Sequence, residues 1–304
     1  MGPILDATLP IFLLILVGFL LRWRGFIERP AWEAVEKLTY MILFPALLIR
    51  TLATTDFGSL QVLPIVAAIN TPLILTALIL MTLVARFTND GPALTSMLQG
   101  FIRPNTYIGL AVAASLFGEV GFATATLAIA ASVPLVNLLS VVALSRHGNN
   151  GTRSLGGMLL AIVKNPIIVA CALGILLNVT AVGLPSISDP FLEILGRAAL
   201  PLGLIAVGAG LELRNEGGAL GALVAPIVGK LVVLPIITAF ACGLFGVTGV
   251  GAYVAILFNA LPAASSSFIL ARQLGGDAAL MARIITIQTA AAMITLPILL
   301  GLLV

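Results

Sequence analysis

Apolar residues fill this chain in long runs separated by short polar punctuation, and crossing a bilayer core takes about 20 such residues in a helix. Spans are predicted from Ile4 to Leu21, Ala34 to Ala53, Leu60 to Arg86, Ala93 to Phe117 and Phe122 to Leu144. A second set is predicted from Met158 to Val179, Phe191 to Leu211, Ala219 to Phe245, Gly249 to Gln273 and Ala279 to Leu303. Between the two fives lies SRHGNNGTRS, Ser145 to Ser154, the most polar and glycine-rich stretch of the chain. The expectation is an all-α polytopic membrane protein of ten transmembrane helices, with residues 1–148 as the first five-helix unit and 149–304 as the second.

Polar positions inside the runs carry further information. The stretch Gly249 to Gly276 has a polar seam at its middle, Asn259-Ala-Leu-Pro262 followed by Ser265-Ser266-Ser267. Proline lacks the N–H that would complete a helical turn, so Pro262 frees a carbonyl that protein, water or ligand must meet. The first half holds a parallel feature in FIRPNTYIGLAVAASLFG, which sets Pro104 opposite Pro262, 158 positions apart. Likewise LFPALLIRTLA resembles ALPLGLIAVGA and sets Pro45 opposite Pro201, 156 positions apart. Two nearly equal offsets imply a duplicated unit, and an odd number of spans per unit makes the second enter the membrane upside down. Two inverted five-helix repeats with interrupted helices 4 and 9 point to a secondary transporter whose site lies between the breaks. Asn70-Thr71-Pro72 is expected to interrupt the third span as well.

Composition excludes an ordinary soluble domain: 60% of residues are hydrophobic and 9% charged, with a mean hydropathy of +1.19. The N-terminus lacks the basic region of a signal peptide, so it reads as a retained first span. A net charge of +3 is too small to imply nucleic acid. The predicted first, third, fifth, seventh and ninth connections hold Arg22, Arg24, Arg29, Arg86, Arg146, Arg153, Arg214 and Arg272, whereas the even connections hold essentially no basic residue. The positive-inside rule then sends both termini to the outer side of a plasma or inner cell membrane. Cys171 and Cys242 fall in apolar runs, and the one histidine, His147, lies in a polar loop. Neither a metal cluster, a phosphate-cradling loop nor a catalytic carboxylate pair is legible, so no enzyme and no cofactor are expected.

All twelve acidic residues fall at predicted span ends or in loops, while Arg103 and Lys230 fall mid-span. A buried positive charge without a carboxylate makes an anionic ligand its natural partner. For Lys230 two other readings stay open, snorkelling and stabilisation by carbonyls freed at a break. The candidate substrate-binding set is Arg103, Pro104, Asn105, Thr106, Lys230, Asn259, Pro262, Ser265 and Gln288. Gln288 and Asn70 could equally be interhelical glue. Arg50 and Lys164 read as interfacial anchors, and Glu193 with Arg197 as a helical i,i+4 pair.

The FPALLI stretch, the Asn105-Thr-Tyr-Ile-Gly109 break and the run LPAASSSFILARQLGGDAALMARIITIQTAAAMITLP resemble the auxin efflux carrier family of membrane transporters. Its members include plant PIN-type auxin carriers and bacterial permeases of malonate-like organic acids. The resemblance implies ten helices in inverted repeats and a crossover of the fourth and ninth helices with substrate beside it. Arg103-Pro104 stands where a small Phe-Gly type pair is more usual, Ala111 replaces a proline, and Gln288 and Ala292 replace serines near Thr289. These departures sit at the expected site, so the resemblance does not transfer a substrate. The reading is a secondary carrier moving a small organic anion by alternating access. An anion-selective channel is the alternative, with a membrane-embedded enzyme or sensor a more distant one. The expected partners are that anion and membrane lipid, without nucleic acid; a homodimer is compatible with the sequence.

Overall fold

The computed structural model describes residues 2–59, 61–86, 90–149, 164–212 and 220–303. These residues are helical throughout, with no strand beyond one bridge pair, Pro104 with Ala263. In chain order the helices are α1 (Gly2–Trp23), α2 (Arg29–Leu38), α3 (Phe44–Thr54), α4 (Val62–Thr82), α5 (Gly91–Ile102) and α6 (Thr106–His147). After the dividing loop come α7 (Pro166–Val179), α8 (Ser188–Ala209), α9 (Leu220–Val228), α10 (Leu234–Phe245), α11 (Gly249–Ala260), α12 (Ser266–Leu274) and α13 (Ala278–Leu303). Among the described residues, seven helices are long and apolar enough to cross a membrane. One of them, α6, holds 42 residues but breaks at Gly118, whose φ of 58° and ψ of −143° lie outside the helical region. At about 1.5 Å per residue it would be roughly 63 Å long, twice a bilayer core. Part of the sixth predicted span, residues 158–163, lies outside the described residues.

One expectation is corrected here. Asn70-Thr71-Pro72 does not interrupt the third span, because α4 runs unbroken through Pro72. Two other prolines are accommodated by one-turn π-helices that the sequence reading did not anticipate. Thr39–Leu43 joins α2 to α3 just before Pro45, and Gly229–Val233 joins α9 to α10 just before Pro235. In each, the N–H of the residue before the proline reaches back five positions, Phe44 to Thr39 and Leu234 to Gly229. The widened turn carries the chain past a residue that cannot donate.

Helices pack closely where side chains vanish. An added Cβ on Gly18 would lie 1.9 Å from the Ile205 carbonyl oxygen, and one on Gly208 would lie 1.8 Å from that of Ile15. The two glycines thus let the backbones of α1 and α8 touch at two places, as small residues do between membrane helices. Asn178 of α7 donates to the carbonyls of Leu52, Ala53 and Thr55, satisfying the orphaned end of α3. Phe44, Leu48, Leu52, Ile108, Val254 and Leu257 are fully buried in the core around these contacts. Leu9, Leu13, Phe240, Leu244 and Ile294 face outward, as a lipid-solvated surface allows.

Candidate functional site

α5 ends at Ile102 and α6 begins at Thr106; α11 ends at Ala260 and α12 begins at Ser266. The short extended segments between them lie side by side. Asn105 donates its N–H to the Pro262 carbonyl at 2.8 Å, and Ala264 donates to the Arg103 carbonyl at 3.2 Å. Two interrupted helices therefore satisfy each other's backbone deep in an apolar protein, where unmet groups are costly.

Each proline also strands a carbonyl four residues earlier, and each is met by a side chain from another helix. Pro104 strands Gly100, whose oxygen accepts from Gln288 Nε2 at 3.0 Å. The same nitrogen donates to the Pro226 carbonyl at 2.8 Å, and Gln288 Oε1 accepts from the Ala263 N–H at 2.8 Å. Pro262 strands Phe258, whose oxygen accepts from Lys230 Nζ at 3.5 Å. Gln288 and Lys230 are both fully buried. Of the readings left open for Lys230, contact with a freed carbonyl is the one its geometry matches. Asn259 is likewise engaged in packing, donating to the Ile69 carbonyl at 3.0 Å and to Thr238 Oγ1 at 2.8 Å.

Arg103 sits between the two breaks with 8% of its surface exposed. Its Nε donates to Ser267 Oγ at 2.9 Å, one Nη to Asn137 Oδ1 at 2.6 Å and the other to Ser266 Oγ at 3.0 Å. All three partners are neutral. A guanidinium carries five N–H donors, so two remain for a further acceptor.

Beside it lies a cavity of about 60 Å³, lined among others by Arg103, Asn105, Thr106, Tyr107, Ser265 and Ser266. That admits more than one water or a carboxylate group, since a water needs about 10 to 15 Å³ on this measure. Asn105 Nδ2 and Ser265 Oγ are buried without a partner. The lining includes the N-terminal ends of both α6 and α12. Helix N-termini carry about half a positive charge each. The cavity thus collects Arg103, two positive helix ends and two unpartnered polar atoms. The negative ends of the partner half-helices, α5 and α11, carry the carbonyls met by Gln288 and Lys230.

Of the nine sequence candidates, Arg103, Pro104, Asn105, Thr106 and Ser265 line this cavity. Lys230, Asn259, Pro262 and Gln288 do not line it and surround the breaks from behind. The sequence reading missed Glu36, Tyr40 and Asn137, which also line it. Glu36 read as a span-end acid, yet it shares a cavity with Arg103. Asn137 lies 34 positions from the arginine it contacts, beyond any local pattern.

A larger open cavity of about 940 Å³ lies between α3, α6 and α8. Its arginines are paired: Arg50 with Asp189 at 2.7 Å and with Glu193 at 3.0 Å, and Arg197 with Glu193. Arg50 and Glu36 are fourteen positions apart on the α2–α3 span, roughly 21 Å along a helix axis. The two cavities therefore lie at different depths, and among the described residues only the smaller one holds an arginine that forms no ion pair, although Glu36 shares its lining.

Comparison with known proteins matches residues 144–300 to a family described as membrane transport protein. That match covers just over half of the chain. The chain belongs to the auxin efflux carrier family of membrane transporters. A search of curated proteins returns no match. The matched segment of this transporter contains Lys230, the second break and Gln288, while Arg103 and the first break precede it. Family membership and the long apolar helices make it a multi-pass membrane protein with a transport role.

Proposed function

We propose that this transporter is a secondary carrier that moves a small organic anion, a mono- or dicarboxylate, by alternating access. In this reading residues 1–148 and 149–304 are two inverted five-helix repeats, making ten spans with both termini outside the cell membrane. The interrupted fourth span is α5 with the start of α6, the interrupted ninth is α11 with α12, and the substrate binds where they cross. Arg103, Asn105, Thr106 and Ser265 contact it, and Pro104, Pro262, Asn259, Gln288 and Lys230 hold the crossing in shape. One observation carries the proposal: a buried arginine with only neutral partners shares a cavity with two helix N-termini and two unpartnered polar atoms. A carboxylate supplies the acceptors that such a site lacks, by charge-assisted hydrogen bonds.

The test is initial flux of labelled acetate, malonate, succinate and an aryl acetate into proteoliposomes of the purified protein. Saturable flux with trans-stimulation is expected for at least one. Arg103→Gln should lower affinity more than tenfold, since truncating a buried charge contact costs about 2 to 5 kcal/mol. Arg103→Lys should restore only part, because lysine lacks the planar fork. Non-saturable flux would identify a channel, and preference for cations or neutral solutes would remove the anion assignment.

A further inference from the structure

Among the described residues that line the small cavity, Glu36 is the one acidic side chain and Arg103 the one cationic side chain. The two do not pair. The Arg103 guanidinium donates to Asn137, Ser266 and Ser267, and the Glu36 carboxylate forms no hydrogen bond or ion pair among the described residues. Neighbouring charges do not neutralise it either. Glu33 lies three positions back on the same helix and is itself acidic, and Arg22 and Arg29 are paired with Glu212. Lys37 and Lys164 are exposed and do not line the cavity. Tyr40 and Tyr107, which share the lining, are phenols and carry no charge at neutral pH.

These charges set how much negative charge the site can take. Arg103 contributes one positive charge and the N-terminal ends of α6 and α12 about half each, while Glu36 subtracts one, leaving roughly one positive charge. A monoanion brings that sum to about zero. A dianion overshoots it by a full negative charge inside a cavity of about 60 Å³. We propose that Glu36 is a specificity-determining residue that limits the ligand to one negative charge, so that monoanions are carried and dicarboxylate dianions are rejected. A second free carboxylate would stand in the same small space as Glu36, and like charges set together without a cation between them repel strongly. The inference rests on the anion-carrier reading above and narrows it, since that reading alone admits mono- and dicarboxylates equally.

The test uses malonate and succinate, each against its monomethyl ester, which keeps the skeleton and masks one of the two charges. Affinity is read by calorimetry on the purified protein at slightly alkaline pH, where both free acids are dianions, and initial flux is read in proteoliposomes at clamped potential. In the wild type the esters should bind about tenfold or more tightly than the dianions. Glu36→Gln should tighten the dianions by about tenfold and the esters by less, so that the gap narrows. Glu36→Asp, which keeps the charge, should keep the preference, and Glu36→Lys should reverse it. The same four probes meet every variant, so any steric effect of the ester methyl cancels in the comparison. Preference of the wild type for dianions, or an ester-to-dianion ratio that Glu36→Gln leaves unchanged, overturns the inference while the anion reading stands. Failure of all four probes to bind the wild type or any variant, with melting temperatures unchanged, strikes the anion reading itself and takes this inference with it.

Discussion

Gln288→Leu removes the side chain that fastens three helices at the first break. Its amide makes three hydrogen bonds, to the Ala263 N–H at 2.8 Å and to the Gly100 and Pro226 carbonyls at 3.0 and 2.8 Å. All three partners are backbone groups: Pro104 removes the donor that Gly100 would use, and Ala263 lies in the extended segment between α11 and α12. Hydrogen bonds between membrane helices average about 0.6 kcal/mol and reach about 1.7, so three are worth about 2 to 5 kcal/mol. Leucine refills most of the volume, which isolates the polar loss from a cavity effect. Even the lower figure is about a thirtyfold change in the population that opens at the break. The expected result is a clearly lower melting temperature in detergent, together with reduced flux. Gln288→Glu provides the internal check. A carboxylate still accepts from Ala263 but opposes two carbonyls, whereas its protonated form donates to one of them, so this variant should be more stable at acidic than at neutral pH. Wild-type melting and flux in Gln288→Leu would refute the claim that this side chain closes the break.

Glu36→Gln should raise apparent affinity for carboxylates severalfold, since it removes a negative charge from the cavity that holds Arg103. Binding assays on the purified variant check this, and weakened binding would instead identify a substrate with a cationic group that Glu36 engages. Gly208→Ala should destabilise the protein by about 1 to 3 kcal/mol or more, because its Cβ would overlap the Ile15 carbonyl. Gly243→Ala, with nothing within 4 Å of the added atom, should leave melting unchanged or raise it, and equal behaviour of the two variants would contradict the close α1–α8 contact.

The break positions were legible because proline imposes them locally. Pro104 and Pro262 each forbid a helical hydrogen bond whatever surrounds them, and both stand between helix ends in the structure. The same logic failed at Pro72, where α4 continues, and missed the π turns at Pro45 and Pro235. A proline removes one bond, but whether the helix bends, widens or breaks depends on neighbours the sequence does not display. Arg103 was readable as a buried charge from its position in an apolar run. Its partners were not, because Asn137, Ser266 and Ser267 arrive from segments 34 and more than 160 positions away. Lys230 and Gln288 were readable as buried polar residues without their function, since a side chain that closes a break and one that binds a ligand have the same local signature.

The separation of these roles explains how one protein holds two buried cations without a carboxylate paired to either. At each break one half-helix ends and another begins, so each break has a negative and a positive face. Lys230 is at a negative face, where the end of α11 stabilises it. Arg103 is beside the positive faces of α6 and α12, where helix dipoles oppose it and only neutral hydroxyl and amide oxygens support it. Taking about half a charge for each helix end, the small cavity carries roughly two positive charges against one negative from Glu36. On the anion-carrier proposal that excess favours an entering carboxylate, and it penalises a cation in that cavity; positive charge is better tolerated on the other side of the break, where Lys230 stands.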